Sequence, residues 1–143
     1  MFKIEQFYDF YWSDRSVTVT FYISFNGQAF PDNQWTDFAV IVLNWWLSEI
    51  QNSLNQDNAR FSLTFMDGPY YVDCSKHGSM VHMDFIEEKR EKKILGECDI
   101  EAKELLAEVA RASSKILETF RHHIFRKPIG FVELKRTYRS LGL

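Results

Sequence analysis

The sequence predicts an α+β domain, an antiparallel sheet of about six strands with helices packed mainly on one face. Three observations carry the prediction. Segments with period-two hydrophobic alternation recur in both halves, two long segments place apolar residues at helical spacing, and the resulting order, ββ-α-ββββ-α-α, has no βαβ rhythm. At 143 residues the chain is the size of one domain, so a single unit over 1–143 is expected.

The most regular strand runs from Arg15 to Asn26, with Val17, Val19, Phe21, Ile23 and Phe25 on one face and Ser16, Thr18, Thr20, Tyr22 and Ser24 on the other. Before it, Ile4, Tyr8, Phe10 and Trp12 share a parity within Phe2 to Trp12, and Ser13-Asp14 supplies a turn, so the chain opens with a hairpin. After Asn26-Gly27 and Pro31-Asp32-Asn33, the residues Trp35, Phe38, Ala39, Val42, Leu43, Trp46, Leu47, Ile50 and Leu54 follow at helical spacing. The polar stripe of that helix is Asp37, Asn44, Ser48, Gln51 and Asn55. Ile41 falls inside the stripe and Trp45 at its margin, so these are the apolar residues expected outside the core. A four-stranded meander then reads through Phe61–Phe65, Tyr70–Cys74, Ser79–Glu88 and Ile94–Cys98. Asp99 is placed to cap a second helix carrying Leu105, Leu106, Val109, Ala112, Ile116, Leu117, Phe120 and Ile124 and ending near Phe125. A short third helix is expected over Phe131–Leu141.

Composition narrows the function classes. The amino terminus lacks the continuous apolar stretch and small-residue cleavage site of a secretory signal, and the most apolar run, Phe38 to Leu47, is too short to span a bilayer. A cytosolic protein with no membrane segment is expected. Two cysteines, Cys74 and Cys98, do not make a disulfide framework and read as free thiols. The formal charge of −3 conceals a bipolar chain: residues 1–72 hold eight acidic and three basic side chains, residues 111–143 eight basic and two acidic ones. The carboxy-terminal basic set is Arg121, His122, His123, Arg126, Lys127, Lys135, Arg136 and Arg139. It reads as a solvated helix face more readily than as a nucleic-acid surface, because the acidic first half opposes a phosphate backbone.

Catalytic motifs are missing. The six glycines are scattered singly, so no phosphate loop is formed, and no serine sits in a G-x-S-x-G elbow. Cys74, His77, His82 and Cys98 have the spacing C-x2-H-x4-H-x15-C, which lacks the paired C-x-x-C that usually anchors structural zinc. Neither metal nor cofactor is expected. His82 and Asp84, two apart on a strand, share a face and read as a solvated pair.

Fourteen of the 23 aromatic residues fall within residues 1–46. They either build a large core or leave surface for a partner. Tyr11, Tyr22 and Trp45 are the hardest to bury, and Asp9, Asp14, Asp32 and Asp37 would rim them. A partner-binding set of Tyr11, Asp14, Tyr22, Asp32, Asp37, Ile41 and Trp45 follows. In size, composition and element order the chain resembles the small immunity proteins that accompany bacterial polymorphic or contact-dependent toxins. That resemblance implies a non-enzymatic cytosolic domain that neutralises a cognate toxin by occluding its active surface. Two other readings stay open. One is a small-molecule-binding domain or enzyme with a pocket between the aromatic sheet and the first helix, using Tyr70, Tyr71, His82 and Asp84. The other is a homodimer formed through the first helix or an open sheet edge.

Overall fold

The computed structural model describes residues 1–7, 9–122 and 126–142. Expectations that fall on Tyr8, His123, Ile124 and Phe125 lie outside the described residues. The alternating segment forms β3 (Ser16–Phe25), whose five apolar odd positions are buried while its even positions are only half-buried. Around it stand β1 (Phe2–Gln6), β2 (Tyr11–Ser13), β4 (Gln28–Phe30) and β5 (Thr36–Asp37), each antiparallel to β3. Because β1 and β4 both pair with residues 23–25, β3 is flanked on its two edges and is the central strand.

The second half follows the predicted meander, with longer strands: β6 (Asn58–Thr64), β7 (Tyr70–His77), β8 (Met80–Glu88) and β9 (Lys92–Glu101), paired in sequence order. Among the described residues the strands therefore make two antiparallel sheets, of five and four strands, rather than one of about six. Both edges of β3 are occupied by its own neighbours in sequence. The helix α1 (Ala39–Ser53) then carries the chain away, and it touches β3 on one side and β6 on another. The α+β class holds, and the buried faces of both sheets meet the helices in one core.

Helix boundaries shift for local reasons. The spacing predicts the first helix from Trp35, but residues 36 and 37 pair with β3, and α1 begins only at Ala39. Asp99 does not cap the second helix. It remains in β9 opposite His82, and Glu101 holds the cap position of α2 (Ala102–Arg121). The third helix, α3 (Phe131–Ser140), lies where the spacing predicts.

Aromatic rings join the two sheets. Phe65, one residue past β6, lies with its ring centroid 5.2 Å from Trp46, 5.8 Å from Phe30, 6.0 Å from Phe21 and 6.3 Å from Trp35. The Trp46 indole N–H donates to the Thr64 carbonyl at 2.9 Å, which satisfies the one polar atom this fully buried ring brings inside. Further along, Phe25 of the first sheet stacks on Phe85 of the second at 3.8 Å and 4°. Gly96 faces Phe85 across the ladder, and a Cβ there would stand 2.8 Å from Phe25 Cζ. The glycine makes room for the stack.

Side chains of α2 close the outer edge of β1. The Ile4 N–H donates to Glu108 Oε2 at 2.6 Å, Arg111 donates to the Ile4 carbonyl at 2.9 Å, and the Gln6 amide donates to the Ala112 carbonyl at 2.9 Å. Glu108 and Arg111 also pair with each other at 2.7 Å. The fork thus supplies the donor and acceptor that a neighbouring strand would have offered. Burial pushes the Glu108 carboxyl up, but the Arg111 guanidinium and the Ile4 N–H outweigh it and hold the group below the ordinary glutamate range.

Two stability measurements follow. Gly96→Ala forces Phe25 off its stack, and a urea midpoint should report a loss of about 1–3 kcal/mol, the range for overpacking. For Glu108 the folded pKa lies below the unfolded one. Its contribution is complete above the unfolded value of about 4.3 and is lost as pH falls through the folded one. Wild-type stability should fall more steeply than that of Glu108→Gln from about pH 5 downwards, read as the difference between the two urea titrations.

Candidate interaction surface

On the outer face of the first sheet the even positions of β3 meet residues of β1 and β2. Glu5 stands opposite Tyr22, and Tyr11 opposite Thr18. Phe7, just beyond β1, donates its N–H to the Thr20 carbonyl at 3.0 Å, which continues the pairing and sets its ring against Tyr22 at 6.2 Å, nearly parallel. Asp9 stands in for a strand partner: its carboxylate accepts the Thr20 N–H at 2.9 Å and also the Thr20 hydroxyl. Burial pushes the Asp9 carboxyl up, yet the two Thr20 bonds leave it below its ordinary value, so it stays ionised. The result is a row of Phe7, Tyr22 and Tyr11 beside Glu5 and Asp9. Tyr11 is 70% exposed and Phe7 47%.

Asp14, exposed, forms the β2–β3 turn with a left-handed backbone (φ 58°). Arg126 donates to its carbonyl and lies over the Trp12 ring at 4.3 Å, while Ile129 N–H donates to the Arg15 carbonyl at 2.8 Å. Part of the basic carboxy-terminal set is therefore engaged within the fold. Lys127 likewise donates to the Phe120 and Arg121 carbonyls at the end of α2, at 2.8 and 2.7 Å, and Arg121 pairs with Glu118 at 3.0 Å.

The seven residues expected to bind a partner do not form one surface. Tyr11, Asp14 and Tyr22 belong to the outer face and tip of the first sheet. Trp45, 40% exposed, projects from α1, which packs against the opposite face of that sheet. Ile41 is half-buried, its Cγ1 2.9 Å from where a Cβ on Gly130 would stand, so the approach to α3 covers it. Asp32 is exposed and builds a turn, accepting the Gln34 N–H at 2.8 Å on its side chain. Asp37 is a correction: expected on the rim, it is completely buried. Its Oδ1 accepts the Phe38 N–H at 2.7 Å, and its Oδ2 accepts the Trp35 indole at 3.0 Å and the Asp67 N–H at 3.2 Å. Three inward donors, invisible in a helical-spacing argument, draw this carboxyl inside, and burial pushes its pKa up.

The four residues of the alternative pocket also divide. Tyr70 packs edge-on to Trp35 at 5.1 Å and donates to Glu87 at 3.1 Å. His82 and Asp84 lie on the outer face of the second sheet, opposite Ser75 and Asp73 in the ladder, and Tyr71 shares that face but donates to Glu88 at 3.3 Å. Cys74 and Cys98 face inward on either side of Met83, so the inward thiols and the outward His82 cannot share one ion. Burial pushes the Cys74 thiol far up and that of Cys98 up to about 11, which makes neither a nucleophile at neutral pH.

His82 is more than a solvated pair. Its Nδ1 lies 2.8 Å from Asp99 Oδ1 and its Nε2 3.1 Å from Asp84 Oδ1. A neutral imidazole carries one N–H, so two flanking carboxylates favour a cation at this position. Hydrogen bonding to Asp99 is the largest influence on the His82 pKa and raises it; burial opposes this, and the hydrogen bond and charge of Asp84 add to the rise. Glu97, opposite Asp84, completes a group with ligand atoms within 4.8 Å of one another. Glu97 and Asp99 were legible only through strand register, since each flanks the inward Cys98.

Comparison with protein-family models, with curated proteins and with solved structures finds no match for this chain. Among the described residues no helix is long and apolar enough to cross a membrane.

One substitution tests the buried carboxylate. Asn at position 37 offers a single acceptor oxygen and turns an NH2 toward donors. Asp37→Asn should therefore lower stability by about 1–3 kcal/mol, measured by urea unfolding, whereas Asp32→Asn should stay within about 0.5 kcal/mol.

Proposed function

We propose that the protein is a non-enzymatic, protein-binding domain that works through the outer face of its first sheet. The observation that carries this reading is the row of Phe7, Tyr22 and Tyr11 edged by Glu5 and Asp9. Large rigid rings offer contact area at low entropic cost, and ionised carboxylates beside them favour a basic partner. The resemblance to toxin immunity proteins supplies the partner class: a toxin whose basic active surface is occluded by this face, in the cytosol of a bacterial cell. A second reading, self-association, draws on β9. It ends the second sheet and leaves Ile94 and Leu95 exposed, with Lys92 and Lys93 beside them.

An affinity capture from the native cytosol tests the first reading, comparing wild type with Phe7→Ser plus Tyr11→Ala and with Trp45→Ala. A single stoichiometric partner should be retained by Trp45→Ala and bound at least about tenfold more weakly by the double variant, a loss of about 1.4 kcal/mol or more. Equal retention by all three, with folding checked by circular dichroism, overturns the assignment of this face. A solution mass near twice 17.0 kDa would favour the second reading instead.

A further inference from the structure

The square of side chains on the outer face of β8 and β9 has a chemistry of its own. His82 and Asp84 are two apart on β8, with Asp99 and Glu97 directly opposite them on β9. Paired strands hold such neighbours about 5 Å apart at Cβ, so their relative positions are set by the ladder rather than by flexible loops. Asp73 borders the square from β7 and is itself held by Arg60 at 3.1 Å. Three carboxylates, of Asp84, Glu97 and Asp99, are thus left around one imidazole.

We propose that His82 Nε2, Asp84 and Glu97 form a binding site for a divalent transition-metal ion, for which zinc is the matched probe, with Asp99 as the group that positions His82. Two independent features of the geometry support it. First, ligand atoms that share one zinc at about 2.1 Å stand about 3.0–3.5 Å apart at angles between 90° and the tetrahedral value. The His82 Nε2 to Asp84 Oδ1 distance of 3.1 Å lies in that range. Second, Asp99 sits 2.8 Å from Nδ1, the nitrogen that faces away from Asp84. A proton on Nδ1 donated to Asp99 leaves the Nε2 lone pair aimed at Asp84, the carboxylate–histidine arrangement that fixes tautomer and ring plane in metal sites. The imidazole selects against magnesium, which prefers an all-oxygen octahedral shell and keeps its waters. Three protein ligands on an open sheet face leave a fourth position to water. When zinc binds, it takes the place of the cation that a protonated His82 otherwise provides, and the ring gives up its Nε2 proton to solvent.

Calorimetric titration of the chelator-treated full chain with zinc chloride, alongside NMR of the histidine ring nitrogens, tests the site. The expected result is one zinc per chain, a shift of the His82 Nε2 resonance on binding, and no comparable response to magnesium chloride. His82→Gln and Glu97→Gln should each weaken zinc binding at least about tenfold, and Asp99→Asn about 10–100-fold, the range for an orienting partner. His77→Gln, which alters another exposed histidine, should bind as wild type does. Absence of any His82 shift at millimolar zinc overturns the proposal. So does zinc binding that survives both His82→Gln and Glu97→Gln, which would place the ion elsewhere.

Discussion

The contacts around Phe65 are the constraint on which the rest of the structure depends. Each sheet has one apolar face and cannot be stable with that face in water. Phe65 leaves the end of β6 and inserts among rings supplied by β3, β4, the loop before β5 and α1. One side chain thus ties the second sheet to four parts of the first half. Asp37 repeats the link in polar form, since its carboxylate holds the Trp35 indole and the Asp67 N–H together. The buried charge costs desolvation, and the three hydrogen bonds offset it while fixing where the β6–β7 turn must sit.

This explains the aromatic richness of the first 46 residues, and it divides them by parity. Phe21 and Phe25 serve the core, while Tyr22 between them is turned outward with Phe7 and Tyr11. The candidate surface follows from alternation: a strand that buries one set of rings exposes whatever occupies the other set. Threonine and serine fill most of those outward positions on β3, so Tyr22 stands out among them.

Element type was legible for the meander, the strand β3 and the three helices, which lie where periodicity puts them, but not for the short strands β4 and β5. The split into two sheets was not, because nothing local in the chain states that both edges of β3 are used by its own neighbours. Asp37 was misplaced for a related reason. Helical spacing counts positions, and two residues of strand pairing at Thr36–Asp37 override it. Asp99 is an acceptable helix cap by composition, yet its register opposite His82 gives it a different partner. In each case the deciding neighbour is distant in sequence. The outward direction of Tyr11 and Tyr22 was legible because alternation on a strand is a local property, and the scatter of Ile41, Trp45 and Asp37 shows where that locality ends.

The closure of β1 by α2 has a consequence for how the protein comes into being. Ile4 finds Glu108 only after more than a hundred further residues have been made. At ribosomal speeds of about 5–20 residues per second, that is an interval of about 5–20 s. During it the nascent amino-terminal sheet has an uncovered strand beside a cluster of large rings. Helix α2 therefore seals β1 long after that strand is made, and a chain truncated before α2 would keep that edge available to any other strand it meets.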